Sequence, residues 1–100
     1  MADVTITFSM KLKPEAAAAV KGALPEMIKD TAKRPGFRRI SIVENKDDPN
    51  ELLFIEVWES EKAYGDYIAW RTDRGDMDQV AATLSAPPVV RTWPKVVAAI

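Results

Sequence analysis

Between Glu51 and Tyr67 the chain reads ELLFIEVWESEKAYGDY, and the change of periodicity inside this stretch limits the folds open to it. Leu52 to Trp58 is rich in branched and aromatic side chains, as a buried strand is. At Ser60 the pattern becomes helical: a serine hydroxyl can cap the first free backbone N–H, and Glu61 suits the positive end of the helix dipole. The sequence therefore predicts a strand that hands over to a helix at Glu59-Ser60. Trp58 closes the strand, while Tyr64 and Tyr67 follow on the helix. Three amphipathic rings at one corner can line a pocket between sheet and helix, or they can simply fill the core.

The same strand predicts how its sheet is covered. Leu53, Ile55 and Val57 share one face, and Leu52, Phe54 and Trp58 share the other, with Glu56 as the lone charge. Antiparallel sheets with one wet face alternate between apolar and polar residues, so this strand needs cover on both sides. Helices of the same chain can supply one cover, and a second copy of the chain can supply the other. The apolar run Val96 to Ile100 is a further segment able to reach a partner.

The remaining elements can be read in order. Val4, Ile6, Phe8 and Met10 alternate with Thr5, Thr7 and Ser9, predicting a first strand with an apolar and a hydroxyl face. Pro14-Glu15 starts a helix whose inward stripe is Val20, Ala23, Leu24, Met27, Ile28 and Thr31, and Pro25 predicts a kink before it or a break near Leu24. Lys33-Arg34-Pro35-Gly36 ends that helix. Phe37 to Glu44 is a second strand, joined to the third by a turn over Asn45 to Asn50. In the following helix Tyr64, Tyr67, Ile68 and Arg71 share a face, and Gly75 interrupts it. Asp76 and Gln79 have the spacing of a capping box for another helical piece carrying Val80, Ala81 and Leu84. Val89 to Trp93 is a fourth strand, with Pro94 suited to a sheet edge. The order β-α-β-β-α-β predicts an α+β, ferredoxin-like domain over residues 1–100, with a four-stranded antiparallel sheet and both helices on one face.

Composition narrows the chemistry. A formal charge of −1 gives no electrostatic basis for binding nucleic acid or an anionic membrane. The first residues carry no signal-like pattern and no run has the length of a membrane span, so the expected location is the cytoplasm. There is no Cys and no His, which removes thiolate chemistry, the commonest metal ligand and the default general base. No Gly-rich phosphate loop stands at a strand-to-helix turn either, so no resident haem, iron or flavin is expected. Arg71 and Arg74 fall in the last turn of their helix, where a cation favours the negative end of the dipole and stays solvated. Alternatively, one of them holds an anionic oxygen of a ligand. Arg38-Arg39 is expected at a solvated strand edge.

The first-strand pattern, Pro35-Gly36-Phe37, and above all Phe54-Ile55-Glu56-Val57-Trp58-Glu59-Ser60 with Ala63-Tyr64 resemble the antibiotic-biosynthesis monooxygenase family, from Val4 to about Val97. The resemblance implies two ferredoxin-like subunits whose sheets form a dimeric α/β barrel, with a pocket in each subunit. Some members of that family oxygenate polycyclic phenols to quinones without metal or flavin, some degrade haem, and others act on quinols. In the quinone-forming members a Trp ends the third strand and a Tyr follows six positions later, which implies catalytic roles for Trp58 and Tyr64. Phe54 stands where those members carry Asn, and Ile68 stands where the haem-degrading members carry His. Substrate contacts are implied at Phe54, Tyr67, Ile68 and Arg71. The implied function is a cofactor-free monooxygenase acting on an aromatic phenol or quinol. The alternatives are a module that binds such a molecule without reaction and a dimeric protein-interaction domain.

Overall fold

The computed structural model describes residues 2–100. Its elements are β1 (Val4–Lys11), a short 3₁₀ turn (Pro14–Ala16), α1 (Ala17–Ala32), β2 (Phe37–Asn45), β3 (Asp48–Trp58), α2 (Glu61–Asp73), α3 (Asp76–Ala82) and β4 (Val89–Trp93). The four strands form one antiparallel sheet in the order β2-β3-β1-β4. This is the expected ferredoxin-like α+β arrangement, with the long third strand at its centre.

Register explains which side chains meet. Val4 lies opposite Trp58, Ile6 opposite Glu56, Phe8 opposite Phe54 and Met10 opposite Leu52, so these eight residues share one face. The helices pack on that face in two groups. Val20, Leu24 and Met27 of α1, with Met77 and Val80 of α3, meet Phe8, Met10, Leu52 and Phe54. Ala63, Tyr64, Tyr67 and Ile68 of α2 meet Val4, Ile6 and Trp58. The opposite face carries Leu53, Ile55 and Val57 beside Thr5, Thr7 and Ser9. At its edge Trp93 is half-exposed and donates its indole N–H to Thr7 Oγ1 at 2.9 Å, which lays the ring across the hydroxyl row.

The strand-to-helix corner forms as its residues require. Ser60 is extended and its Oγ accepts from the Ala63 N–H at 3.0 Å, capping α2. Gly36 sits against this corner with φ +83°, where a Cβ would lie 2.5 Å from Ala63 Cβ and 3.0 Å from Glu59 Cγ. Only glycine fits, both for its backbone and for the space. Its carbonyl in turn accepts from the Glu59 N–H at 2.8 Å.

Three local expectations need correction. No break occurs at Pro25; α1 runs unbroken from Ala17 to Ala32. Pro25 is exposed, so the Lys21 carbonyl left without a donor can be hydrated, while Val20, Leu24 and Met27 hold the turns on either side against the sheet. The β2–β3 turn is only Lys46-Asp47, because Asn45 Oδ1 takes the Asp47 N–H at 2.8 Å and Asp48 Oδ1 takes the Asn50 N–H at 3.0 Å. Pro49 then falls where the β2–β3 register shifts, a bulge that does not need its missing donor. At α3, Gly75 in the left-handed region occupies the N-cap position and makes no side-chain cap. Asp76 is instead the first residue of the helix, and its carboxylate pairs with Arg71 and Arg74.

Candidate functional site

Between the helix-bearing face of the sheet and the three helices lies a cavity of about 330 Å³. Phe8, Met10, Phe54 and Glu56 form its floor; Val20, Leu24 and Met27 of α1, Tyr64, Tyr67, Ile68 and Arg71 of α2, and Met77 and Val80 of α3 form its walls. Ala23, Asp30 and Gln79 line it as well and are exposed, so the opening lies between α1 and α3. The volume suits a small organic molecule, and the lining is apolar with a few polar groups, as ligand sites usually are.

The structure brings together five of the six residues singled out in the sequence: Phe54, Tyr64, Tyr67, Ile68 and Arg71 all line this cavity. Trp58 does not. It is fully buried behind the wall, stacked on Tyr67 with centroids 4.8 Å apart and meeting the edges of Phe37 and Tyr64 at 5.5 and 6.0 Å. Trp58 therefore fixes the aromatic wall from behind, and Tyr67 presents the surface.

Arg71 is the organising polar residue, and the expectation that it stays solvated is corrected. It is 6% exposed. Its Nε donates to the Tyr67 hydroxyl at 3.1 Å, its Nη1 to Asp76 at 3.0 Å, and its Nη2 to Thr31 Oγ1 and the Met27 carbonyl, both at 3.1 Å. Thr31, itself without exposed surface, lies 3.0 Å from the Tyr67 hydroxyl and reaches the Met27 carbonyl at 3.2 Å. A guanidinium deprived of water must be paired and hydrogen-bonded, and here α1, α2 and α3 each supply partners. Burial works to raise the Asp76 carboxyl, but the Arg71 and Arg74 guanidiniums outweigh it and hold the group below its usual value. Arg74 stays half-exposed, over the Trp70 ring at 4.7 Å, in keeping with the solvated reading for that residue.

Glu56 is the functional candidate that sequence reasoning passed over. It is 4% exposed and lies between Ile6 of β1 and Ile40 of β2, with no cation on either neighbouring strand position. One carboxyl oxygen accepts from the Trp58 indole N–H at 3.1 Å. Burial raises its proton affinity above the ordinary carboxylate value, against the smaller opposing effects of the Trp58 hydrogen bond and the Arg71 charge. The available signal was a lone charge two positions before Trp58 in an otherwise apolar strand. Tyr64 faces the same space. Burial first, then the Glu56 carboxylate and the Tyr67 phenol, push its hydroxyl well above the usual phenol range, so it remains a proton donor. Among the described residues no group of three or more Asp or Glu is placed to hold a metal ion.

A four-stranded sheet covered on one face by helices that enclose an apolar pocket is a ferredoxin-like architecture with a ligand-sized interior. The chain matches the model of the antibiotic biosynthesis monooxygenase family over residues 3–71 and belongs to that family. Its fold is shared with a conserved protein from Methanosarcina mazei Go1 at a TM-score of 0.85 and 17% identity, covering 96% of this chain and 95% of that one. Rv0793 from Mycobacterium tuberculosis superposes at a TM-score of 0.84 with 23% identity, over 99% of this chain and 100% of that one. SnoaB from Streptomyces nogalater, a cofactor-independent oxygenase crystallised as the mutant N63A, superposes at 0.77 with 18% identity, over 97% and 98% of the two chains. No curated protein matches the chain. Among the described residues no helix is long and apolar enough to cross a membrane.

Proposed function

We propose that the protein is a cofactor-independent monooxygenase that oxygenates an aromatic phenol or quinol held in the cavity. The observation that carries this reading is the cavity itself: about 330 Å³, floored by Phe54 and walled by Tyr64, Tyr67 and Ile68, with Tyr64 as a donor. Membership of the antibiotic biosynthesis monooxygenase family supports the reaction class, and the likeness to SnoaB supports a scaffold compatible with it. In such a reaction the electrons come from the substrate, and the protein contributes orientation and electrostatic support. Tyr64 would donate to an oxyanion that develops on the substrate. Phe54 favours a second reading, a module that binds an apolar molecule without oxygenating it, because the polar side chain of the quinone-forming members is missing there. A cavity of this size speaks against a domain that only binds other proteins.

Oxygen uptake with a panel of quinols and polyphenols tests the proposal. Wild type is expected to consume oxygen with at least one of them, and Tyr64→Phe to lower kcat by roughly 10²-fold while the fold is retained. Equal kcat and KM in the two proteins would remove Tyr64 from the mechanism. No uptake with any compound that binds would favour the binding module.

A homodimer formed through the sheet face opposite the helices belongs to the same proposal. Leu53, Ile55 and Val57 lie there, Val89 and Trp93 are half-exposed, and Val96, Val97 and Ile100 are exposed beyond β4. Two-fold pairing is the commonest way to cover such a surface. Sedimentation at micromolar concentration is expected to give a dimer; a well-folded monomer would contradict it.

A further inference from the structure

We propose that Glu56 and Tyr64 act as a base and donor pair that enolises apolar ketones carrying an aromatic ring in this cavity, an activity that needs no oxygen. The inference rests on reading the cavity as a small-molecule site but does not depend on oxygenation.

Geometry limits which polar groups a ligand in the cavity can meet. The hydroxyl of Tyr67 is engaged by Arg71 and Thr31, and the guanidinium of Arg71 is committed to Tyr67, Asp76, Thr31 and the Met27 carbonyl. Glu56 and Tyr64 are differently placed. Only one Glu56 oxygen has a partner among the described residues, the Trp58 indole, which fixes the carboxyl on the cavity floor with its second oxygen available. The Tyr64 hydroxyl makes no side-chain hydrogen bond among the described residues and lines the same space. A carboxylate that can accept a proton and a phenol that cannot easily lose one, set in an apolar chamber, are the two groups enolisation requires.

The step balances within the pair and its substrate. Glu56 takes a proton from the carbon next to the carbonyl, the C–H electron pair becomes the enolate double bond, and the carbonyl oxygen gains the negative charge to which Tyr64 donates. The Glu56 carboxyl then trades that proton for one from solvent and delivers the new one to the same carbon, giving exchange, or returns the proton to a conjugated carbon, giving an isomer. Nothing is oxidised or reduced.

The probe is 2-tetralone, a neutral bicyclic ketone, kept in D₂O under argon while proton NMR follows loss of the signal next to the carbonyl. Wild-type protein is expected to accelerate exchange over buffer, and Glu56→Gln to reduce the acceleration by roughly 10²-fold or more. Glutamine keeps an oxygen for the Trp58 indole and removes a buried ionisable group, so this variant is expected to fold. Glu56→Asp sets the carboxyl back by one methylene and is expected to fall between the two. Tyr64→Phe is expected to lose about tenfold, the scale of one hydrogen bond to a charged group. The wild-type rate should rise with pH through a midpoint above the ordinary glutamate value of 4.5, because burial favours the protonated form of Glu56. Tyr64, Tyr67 and Arg71 of α2, Asp30 of α1 and Asp76 of α3 are the titratable groups lining the same cavity, and of these only Arg71 opposes that rise. A carboxyl with a purely structural role would give no such profile.

Wild-type exchange no faster than buffer, or Glu56→Gln or Glu56→Asp as fast as wild type, would overturn the inference. Protein that fails to exchange 2-tetralone but consumes oxygen with a phenol overturns this inference and leaves the oxygenase reading standing. Protein that exchanges 2-tetralone and consumes no oxygen with any phenol supports the inference and removes the oxygenase reading.

Discussion

Arg71→Met is expected to lower the melting temperature by roughly 25 °C, given that breaking a buried ion pair costs about 3–5 kcal/mol and a domain of this size loses about 4–8 °C per kcal/mol. Arg71 joins three helices through four partners, and methionine can replace its bulk but none of its donors. The Met27 carbonyl would lose its guanidinium donor, and Asp76 would keep only Arg74. Arg74→Met is the control. That guanidinium is half-exposed, so its loss is expected to cost about 0–1 kcal/mol. Acid should narrow the difference between wild type and Arg71→Met. The folded-state pKa of Asp76 is depressed, so its contribution is fully present above the ordinary value of 3.8 and is lost as pH falls through the lowered folded value. Thermal melts at neutral pH and near pH 3 measure both effects. Equal melting temperatures for wild type and Arg71→Met would mean that the polar cluster is incidental to the packing of α1, α2 and α3.

Trp58→Ala is expected to be comparably damaging, about 3–5 kcal/mol, which is a large part of the ~5–15 kcal/mol that holds a typical domain together. Trp58 has no exposed surface and contacts Phe37, Tyr64 and Tyr67 at once, so truncation leaves a void beneath the aromatic wall. It also strips Glu56 of its hydrogen bond partner. Trp58→Phe keeps an aromatic ring against Tyr67 and removes the N–H together with the smaller part of the indole volume, so it loses the hydrogen bond while retaining much of the packing. Its expected cost is about 1–3 kcal/mol, the penalty for a buried polar group left without a partner. Urea unfolding of the two variants would show this order. If Trp58→Ala proved near neutral, the ring would not support the wall, and its position next to the cavity would need another explanation.

Much of the architecture was legible because local and tertiary preferences agree. The alternation from Val4 to Met10, the Ser60 cap and the Pro35-Gly36 stop each specify an element without outside help, and all formed where expected. The departures share a cause. Asp76 reads as a capping residue until Arg71 and Arg74 are brought to it by the turn at Gly75. Arg71 reads as solvated until Thr31 and Met27, forty residues or more away in sequence, close over it. Pro25 reads as a kink or a break, and the break does not occur once the sheet is present to hold both sides of it. Glu56 was visible as an oddity only. Its isolation between Ile6 and Ile40 depends on strand register, which periodicity alone does not provide.

The central claim, that the chamber between sheet and helices is a ligand site, is tested most directly by native mass spectrometry of the protein isolated from its own host. The expected result is a retained apolar aromatic molecule, one per chain. That mass should be absent from Leu24→Trp, which fills the cavity from α1. Bare protein in every preparation, together with no saturable binding of any phenol or of 2-naphthol by wild type, would contradict the claim and return Tyr64, Tyr67 and Phe54 to the core.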